Sequence, residues 1–178
     1  MENINFKVIG LQEATTIDFD LYDAYYNKFI EIYGLGLADV MASNMKDDVR
    51  KYDILAGDSK NFQMSNKAIK DIDNGECLLF GIFSNNILLG VSRVYIKGED
   101  LLVPDIIFKS IYSLEEQYYL YNEFVKYLES TYEKKVYIEI PNKEIDLKNI
   151  LTSNEFKVEL DEGNGQYNLT RTFLITKK

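Results

Sequence analysis

The spacing of hydrophobic and polar positions changes near residue 75, from a helical period to a strand period. An opening alternation, Asn3 to Ile9, puts Ile4, Phe6 and Val8 on one side and predicts a strand. Leu21, Tyr25, Phe29 and Ile32 then follow helical spacing, with Gly34 and Gly36 as a stop signal. A second helix is predicted from Asp39 to Tyr52, with Val40, Met41, Met45 and Val49 inward. A third is predicted from Phe62 to Asp73, with Met64, Ala68, Ile69 and Ile72 inward. Between them Gly57, Asp58 and Ser59 mark a loop.

After Gly75 the strands begin. Cys77 to Phe83 is a continuous apolar run, as expected of a strand covered on both faces. Ser84-Asn85-Asn86 supplies a turn into a second strand, Ile87 to Ile96. Lys97-Gly98-Glu99-Asp100 turns again into a third, Leu101 to Phe108, completing an antiparallel meander. A helix is predicted from Ser113 to Thr131, where Ser113 and Glu116 satisfy the capping-box pattern. Ile111, Leu114, Tyr118, Tyr121, Val125, Leu128 and Tyr132 recur along it as one apolar stripe. Lys135 to Ile140 then alternates Val136, Ile138 and Ile140 against Lys135, Tyr137 and Glu139. A strand-helix-strand crossover of this kind implies parallel neighbours. Pro141-Asn142 ends the strand, Ile145 to Leu151 reads as a short helix, and Phe156 to Leu160 and Gln166 to Thr176 read as strands flanking a loop at Asp161 to Gly165. One domain over residues 1–178 is the simplest organisation.

Composition removes several chemistries. The chain has no histidine, which excludes Ser-His-Asp and Cys-His nucleophilic machinery and every His-bearing zinc site. No metal site is expected. Acid–base work falls to Asp, Glu, Tyr, Lys, the lone cysteine or water. Cys77 is that single cysteine, so no internal disulfide can form, and it reads as a small core residue. A net charge of −9 repels a phosphate backbone, so nucleic acid is not an expected partner; the same charge suits a cationic amine and also serves solubility. No apolar run is long enough to cross a bilayer, and no basic-then-apolar leader opens the chain, so a cytoplasmic protein with no membrane partner is expected. Tyr118, Tyr119 and Tyr121 read as core and rim packing before an aromatic cage.

The junction from Phe108 to Ser113 carries the most functional information. A strand-turn-helix corner is a ready anion site, because the first helical N–H groups have no internal partner. This corner contains no glycine, and Glu115 and Glu116 place negative charge beside it.

The element order and a few local patterns resemble the GNAT family of acyl-CoA-dependent N-acetyltransferases. Phe80-Gly81-Ile82-Phe83 through Leu89-Gly90-Val91-Ser92-Arg93 looks like that family's central hairpin. Asn142 stands where the family often has Asn after its fifth strand, and Ser153-Asn154-Glu155-Phe156 resembles the end of its Tyr-x-x-x-Gly-Phe segment. The resemblance implies an α/β (α+β) fold, a mixed, mostly antiparallel central sheet flanked by helices, whose parallel fourth and fifth strands splay apart. It implies acetyl-CoA as the acyl donor, held by backbone of Ile106 and Phe108, by the corner Ser110, Ile111, Tyr112, Ser113 and Leu114, and by Asn142. Asp105 is the candidate base taking a proton from a small-molecule or peptidyl amine, and the assembly is compatible with a homodimer. The family's glycine-rich pyrophosphate loop is missing, and its general-acid Tyr position falls near Leu151. Two readings therefore stand: an N-acyltransferase attacking the thioester directly, or a GNAT-like ligand-binding or protein-interaction module that has lost the coenzyme.

Overall fold

A computed structural model describes residues 1–9, 74–104, 106–108, 110–141, 144–163 and 171–178. The three helices expected between Leu21 and Asp73, and the expected site residues Asp105 and Asn142, lie outside the described residues. The chain forms two compact units, one comprising residues 1–94 and 106–111 and the other residues 95–105 and 112–178.

In the first unit, strand β1 (Ile4–Val8) pairs antiparallel with β2 (Cys77–Ser84), Phe6 opposite Ile82. The Ile9 N–H extends that ladder by donating to the Leu79 carbonyl at 2.8 Å. Asn85 and Asn86 form the two-residue turn into β3 (Ile87–Lys97), with φ of 48° and 66°. Two successive positive φ values match the right-handed strand twist, and asparagine tolerates them best after glycine. The β1 end is tied to this turn by Asn3 Nδ2 donating to Asn85 Oδ1 at 2.9 Å and Ser84 Oγ to the Glu2 carbonyl at 2.6 Å. The continuous apolar run of β2 is buried as expected, with Cys77, Leu79, Phe80 and Ile82 at 2% exposure or less.

The expected strand Leu101 to Phe108 is two strands. β4 (Asp100–Val103) belongs to the second unit, and β5 (Ile107–Phe108) belongs to the first, where it pairs antiparallel with β3 through Gly90↔Phe108 and Val91↔Ile107. Pro104 lies between them. It has no N–H to contribute to a ladder, so an uninterrupted strand through this position was never available.

In the second unit, β4 pairs with the end of β3, Tyr95 opposite Leu102, across a tight turn whose Gly98 has φ of 62°. Its other side pairs parallel with β6 (Lys135–Pro141), from Asp100↔Lys135 to Val103↔Ile138. The predicted crossover is thereby observed, carried by helix α1 (Leu114–Tyr132). β6 continues into an antiparallel ladder with β8 (Arg171–Lys177), which pairs in turn with β7 (Phe156–Gly163). Asp161, Glu162 and Gly163, expected in a loop, extend β7 opposite Phe173, Thr172 and Arg171. Helix α2 (Ile145–Thr152) packs on α1. The alternation in β6 is realised in full: Val136, Ile138 and Ile140 are wholly buried. Thr176 is a buried hydroxyl among these strands, donating to the Val136 carbonyl at 3.1 Å.

The α1 stripe differs from its sequence reading at the amino end. Leu120, Tyr121, Phe124, Val125 and Leu128 are wholly buried, whereas Ile111 and Leu114 are exposed. Ile111 precedes the helix and Leu114 opens it, so periodicity alone overstated the stripe by one turn. Asn122 sits within the buried face, and among the described residues its Oδ1 has no hydrogen-bond partner.

Candidate functional site

The expected site residues fall on both units, and each group has its own surroundings. In the first unit, Ile106 and Phe108 are buried, so their side chains belong to the core and only their backbone could meet a ligand. Ser110 is exposed and Ile111 fully so.

In the second unit, the start of α1 is a complete capping box. Ser113 has φ of −62° and ψ of 161°; its Oγ accepts from the Glu116 N–H at 3.2 Å, while its own N–H donates to Glu116 Oε2 at 2.8 Å. Gln117 reinforces the entry, donating through Nε2 to the Tyr112 carbonyl at 3.0 Å and through its N–H to the Ser113 carbonyl at 2.9 Å. Two first-turn N–H groups are therefore taken internally, leaving those of Leu114 and Glu115 for water or a ligand. The carboxylates of Glu115 and Glu116 already offset the positive end of the helix. An incoming pyrophosphate would meet one carboxylate bonded at the cap and another one residue before it. Replacing Ser113 by alanine removes the acceptor for the Glu116 N–H and is expected to cost about 1 kcal/mol of stability. Urea unfolding of the variant checks this; an unchanged midpoint would mean that water replaces the hydroxyl without loss.

Leu151, near which the general-acid position was expected to fall, is wholly buried in α2, where it can only pack. The tyrosines of α1 take three separate environments: Tyr121 is wholly buried, Tyr119 exposed and Tyr118 half-buried, which is packing and rim and not a shared cage. Tyr118 stacks edge-on against Phe156, with ring centroids 6.4 Å apart and planes at 90°. Burial, and secondarily the Glu155 carboxylate, raise its hydroxyl above the ordinary phenol range, so it stays protonated at neutral pH. This environment joins α1 to the start of β7, and periodicity carries no signal for it. Cys77 is buried, the inert environment expected for a core thiol. Among the described residues, no cluster of three or more Cys, Asp or Glu could hold a metal ion, and no helix is long and apolar enough to cross a membrane.

The parallel ladder of β4 with β6 ends at Val103↔Ile138, and the chain resumes strand pairing at Ile107–Phe108 against β3. Solved structures share this architecture. The PaiA N-acetyltransferase from Thermoplasma acidophilum, in complex with coenzyme A, superposes with a TM-score of 0.58 at 14% identity, covering 99% of each chain. A chimera of the spermidine N-acetyltransferase SpeG from Vibrio cholerae with hSSAT gives 0.57 at 10% identity, covering 98% of this chain and 95% of the other. The N-acetyltransferase PseH from Campylobacter jejuni gives 0.55 at 12% identity, covering 98% of each. No protein-family model and no curated protein sequence matches the chain. Its fold is that of the GNAT acetyltransferases.

Proposed function

We propose that the chain is an acyl-CoA-dependent N-acyltransferase of the GNAT type, acting in the cytoplasm on a small or peptidyl amine. The observation that carries this reading is the match, over nearly the whole chain, to an N-acetyltransferase fold with coenzyme A bound. The end of the β4–β6 ladder at Val103 supports it, since strand backbone released from a parallel pair is what a pantetheine arm requires. In this reading the backbone of Ile106 and Phe108 lies along the donor's amide groups, Ser110 to Leu114 border its pyrophosphate, and Asn142 lies at the end of the fifth strand. Asp105 takes a proton from the ammonium group. The freed amine would then attack the thioester carbonyl, a C–N bond forming as the C–S bond breaks; the nitrogen would release its remaining extra proton to water, and the departing thiolate would take up a proton. Leu151 cannot supply that proton, so it comes from water or another hydroxyl.

A second reading is favoured by one observation, the self-satisfied start of α1. With Glu116 bonded to the Ser113 N–H and Glu115 beside it, this corner is capped by its own side chains and disfavours an anion. On that reading the domain is a non-catalytic binding module.

Thermal unfolding with acetyl-CoA, and with desulfo-CoA as the unreactive control, separates the two. Acyltransferase function requires a rise in unfolding temperature with either ligand, since a ligand at a hundred times its Kd stabilises the native state by about 2.7 kcal/mol. A flat response at millimolar ligand would eliminate the enzyme and leave the binding module.

A further inference from the structure

The turn that opens β2 reads Asn74-Gly75-Glu76, and all three residues are exposed. Gly75 has φ of 75°, a left-handed conformation that glycine adopts without steric cost. A Cβ placed on it would meet nothing within 4 Å, so the residue stands in open space. Among the described residues, neither the Asn74 side-chain amide nor the Gly75 N–H has a hydrogen-bond partner. The other described asparagines differ, because each is followed by a residue that carries a side chain. Several are also anchored. Asn85 Oδ1 accepts from Asn3 Nδ2 at 2.9 Å, Asn149 Oδ1 accepts from Lys148 Nζ at 3.3 Å, and Asn154 Nδ2 donates to the Ile150 carbonyl at 2.7 Å.

A bond between the Gly75 nitrogen and the Asn74 side-chain carbonyl carbon would close a five-membered ring, an intramolecular attack favoured by proximity. No Cβ on Gly75 stands in its way, and no hydrogen bond holds the Asn74 amide back. Hydroxide takes the proton of the Gly75 N–H, and the nitrogen then attacks Asn74 Cγ. A C–N bond forms there as the bond to the side-chain nitrogen breaks, and that nitrogen takes up a proton from water and leaves as ammonia. Water next adds to one of the two carbonyl carbons of the cyclic imide. Addition at the former side-chain carbon breaks the new C–N bond and yields aspartate. Addition at the former main-chain carbon breaks the original peptide bond and yields isoaspartate, with the main chain now running through the side chain. Water is the only reagent consumed, and nothing is oxidised or reduced.

We propose that Asn74 is a site of spontaneous deamidation and isoaspartate formation at the turn that opens β2. Either product adds one negative charge to a chain of net charge −9, between Asp73 and Glu76 in the sequence. Isoaspartate also lengthens the main chain by one methylene just before β2, whose first residue, Cys77, is buried. This inference is independent of the acyltransferase reading.

Peptide mapping by mass spectrometry tests it on the full chain aged in mildly alkaline buffer, with far-UV circular dichroism to confirm that each sample stays folded. A synthetic peptide spanning residues 70–80 is the unstructured reference. The fragment holding Asn74 is expected to gain the mass difference between an amide and a carboxyl group and to split into two chromatographic products. Its rate in the folded chain is expected to lie within about tenfold of the peptide's, an activation difference below about 1.4 kcal/mol. The rate should rise in proportion to hydroxide. Gly75→Ala puts a methyl group beside the attacking nitrogen and is expected to slow the loss. Asn74→Gln, whose ring would have six members, is expected to keep its amide over the same period. A folded chain that reacts more than about tenfold below the peptide overturns the proposal, because the fold would then protect the site. So does earlier amide loss at Asn85, Asn149 or Asn154. Loss from Asn74→Gln at an unchanged rate would mean direct hydrolysis without a ring, and it overturns the proposal too.

Discussion

Phe156→Ala is expected to lower the unfolding free energy by about 3–5 kcal/mol, the range for deleting a fully buried aromatic side chain. Phe156 is wholly buried at the start of β7, with the Tyr118 ring edge-on at 6.4 Å and Lys177 Nζ 5.9 Å from its centroid. It therefore joins the helix layer to the last strand pair. Truncation leaves a cavity that neither α1 nor β8 can close without moving. The aromatic pair contributes about 0.5–1.5 kcal/mol beyond area burial, so Phe156→Leu should recover most, but not all, of the loss. Water reaching Tyr118 would also weaken the burial that raises its phenol, moving that pKa back down toward the ordinary value. Urea unfolding followed by far-UV circular dichroism measures the first effect, and spectrophotometric tyrosine titration the second. A loss below about 1 kcal/mol would mean that neighbouring side chains collapse into the space.

Gly81→Ala is expected to cost about 1–3 kcal/mol, from overpacking and not from backbone strain. A Cβ at Gly81 would lie 2.5 Å from Phe83 Cε2, 2.9 Å from Phe83 Cζ and 3.3 Å from Ile9 Cγ2. Phe83 is two residues along the same strand and lays its ring over the glycine. The ring can swing aside only by giving up its half-buried position, while Ile9 is held by its N–H bond to Leu79. The cause is separable by a double-mutant cycle. If the Phe83 ring is the obstacle, Gly81→Ala should cost less in a Phe83→Ala background, with a coupling of about 0.5–3 kcal/mol. Additive losses would place the conflict elsewhere in β2.

These two positions differ in how far the sequence reveals them. Gly81 is visible as a glycine in a strand, which signals a bulge or a close approach, but only the packing identifies Phe83 as what approaches. Phe156 reads as an apolar strand residue. Its partnership with Tyr118, 38 positions earlier, depends on α1 and β7 being brought side by side, which no local spacing encodes.

The same division applies to the candidate site. The capping box at Ser113 and Glu116 was legible because its partners lie three residues apart and the interaction is local. So was the absence of glycine, and with it the conflict between a GNAT fold and that family's usual pyrophosphate grip. The exposure of Ile111 and Leu114 was not legible, since burial at a helix end depends on what distant parts of the chain pack against it.

Local chemistry by itself determined the alternation of β6, the buried run of β2, the paired-asparagine turn, the capped start of α1 and the exclusion of histidine chemistry. Each is settled within a few neighbouring residues or by composition. Tertiary structure alone decided that the run from Leu101 to Phe108 divides at Pro104 between two ladders, one parallel with β6 and one antiparallel with β3. Pro104 forbids a continuous ladder, but which strand each half joins depends on pairings with residues far away in the chain.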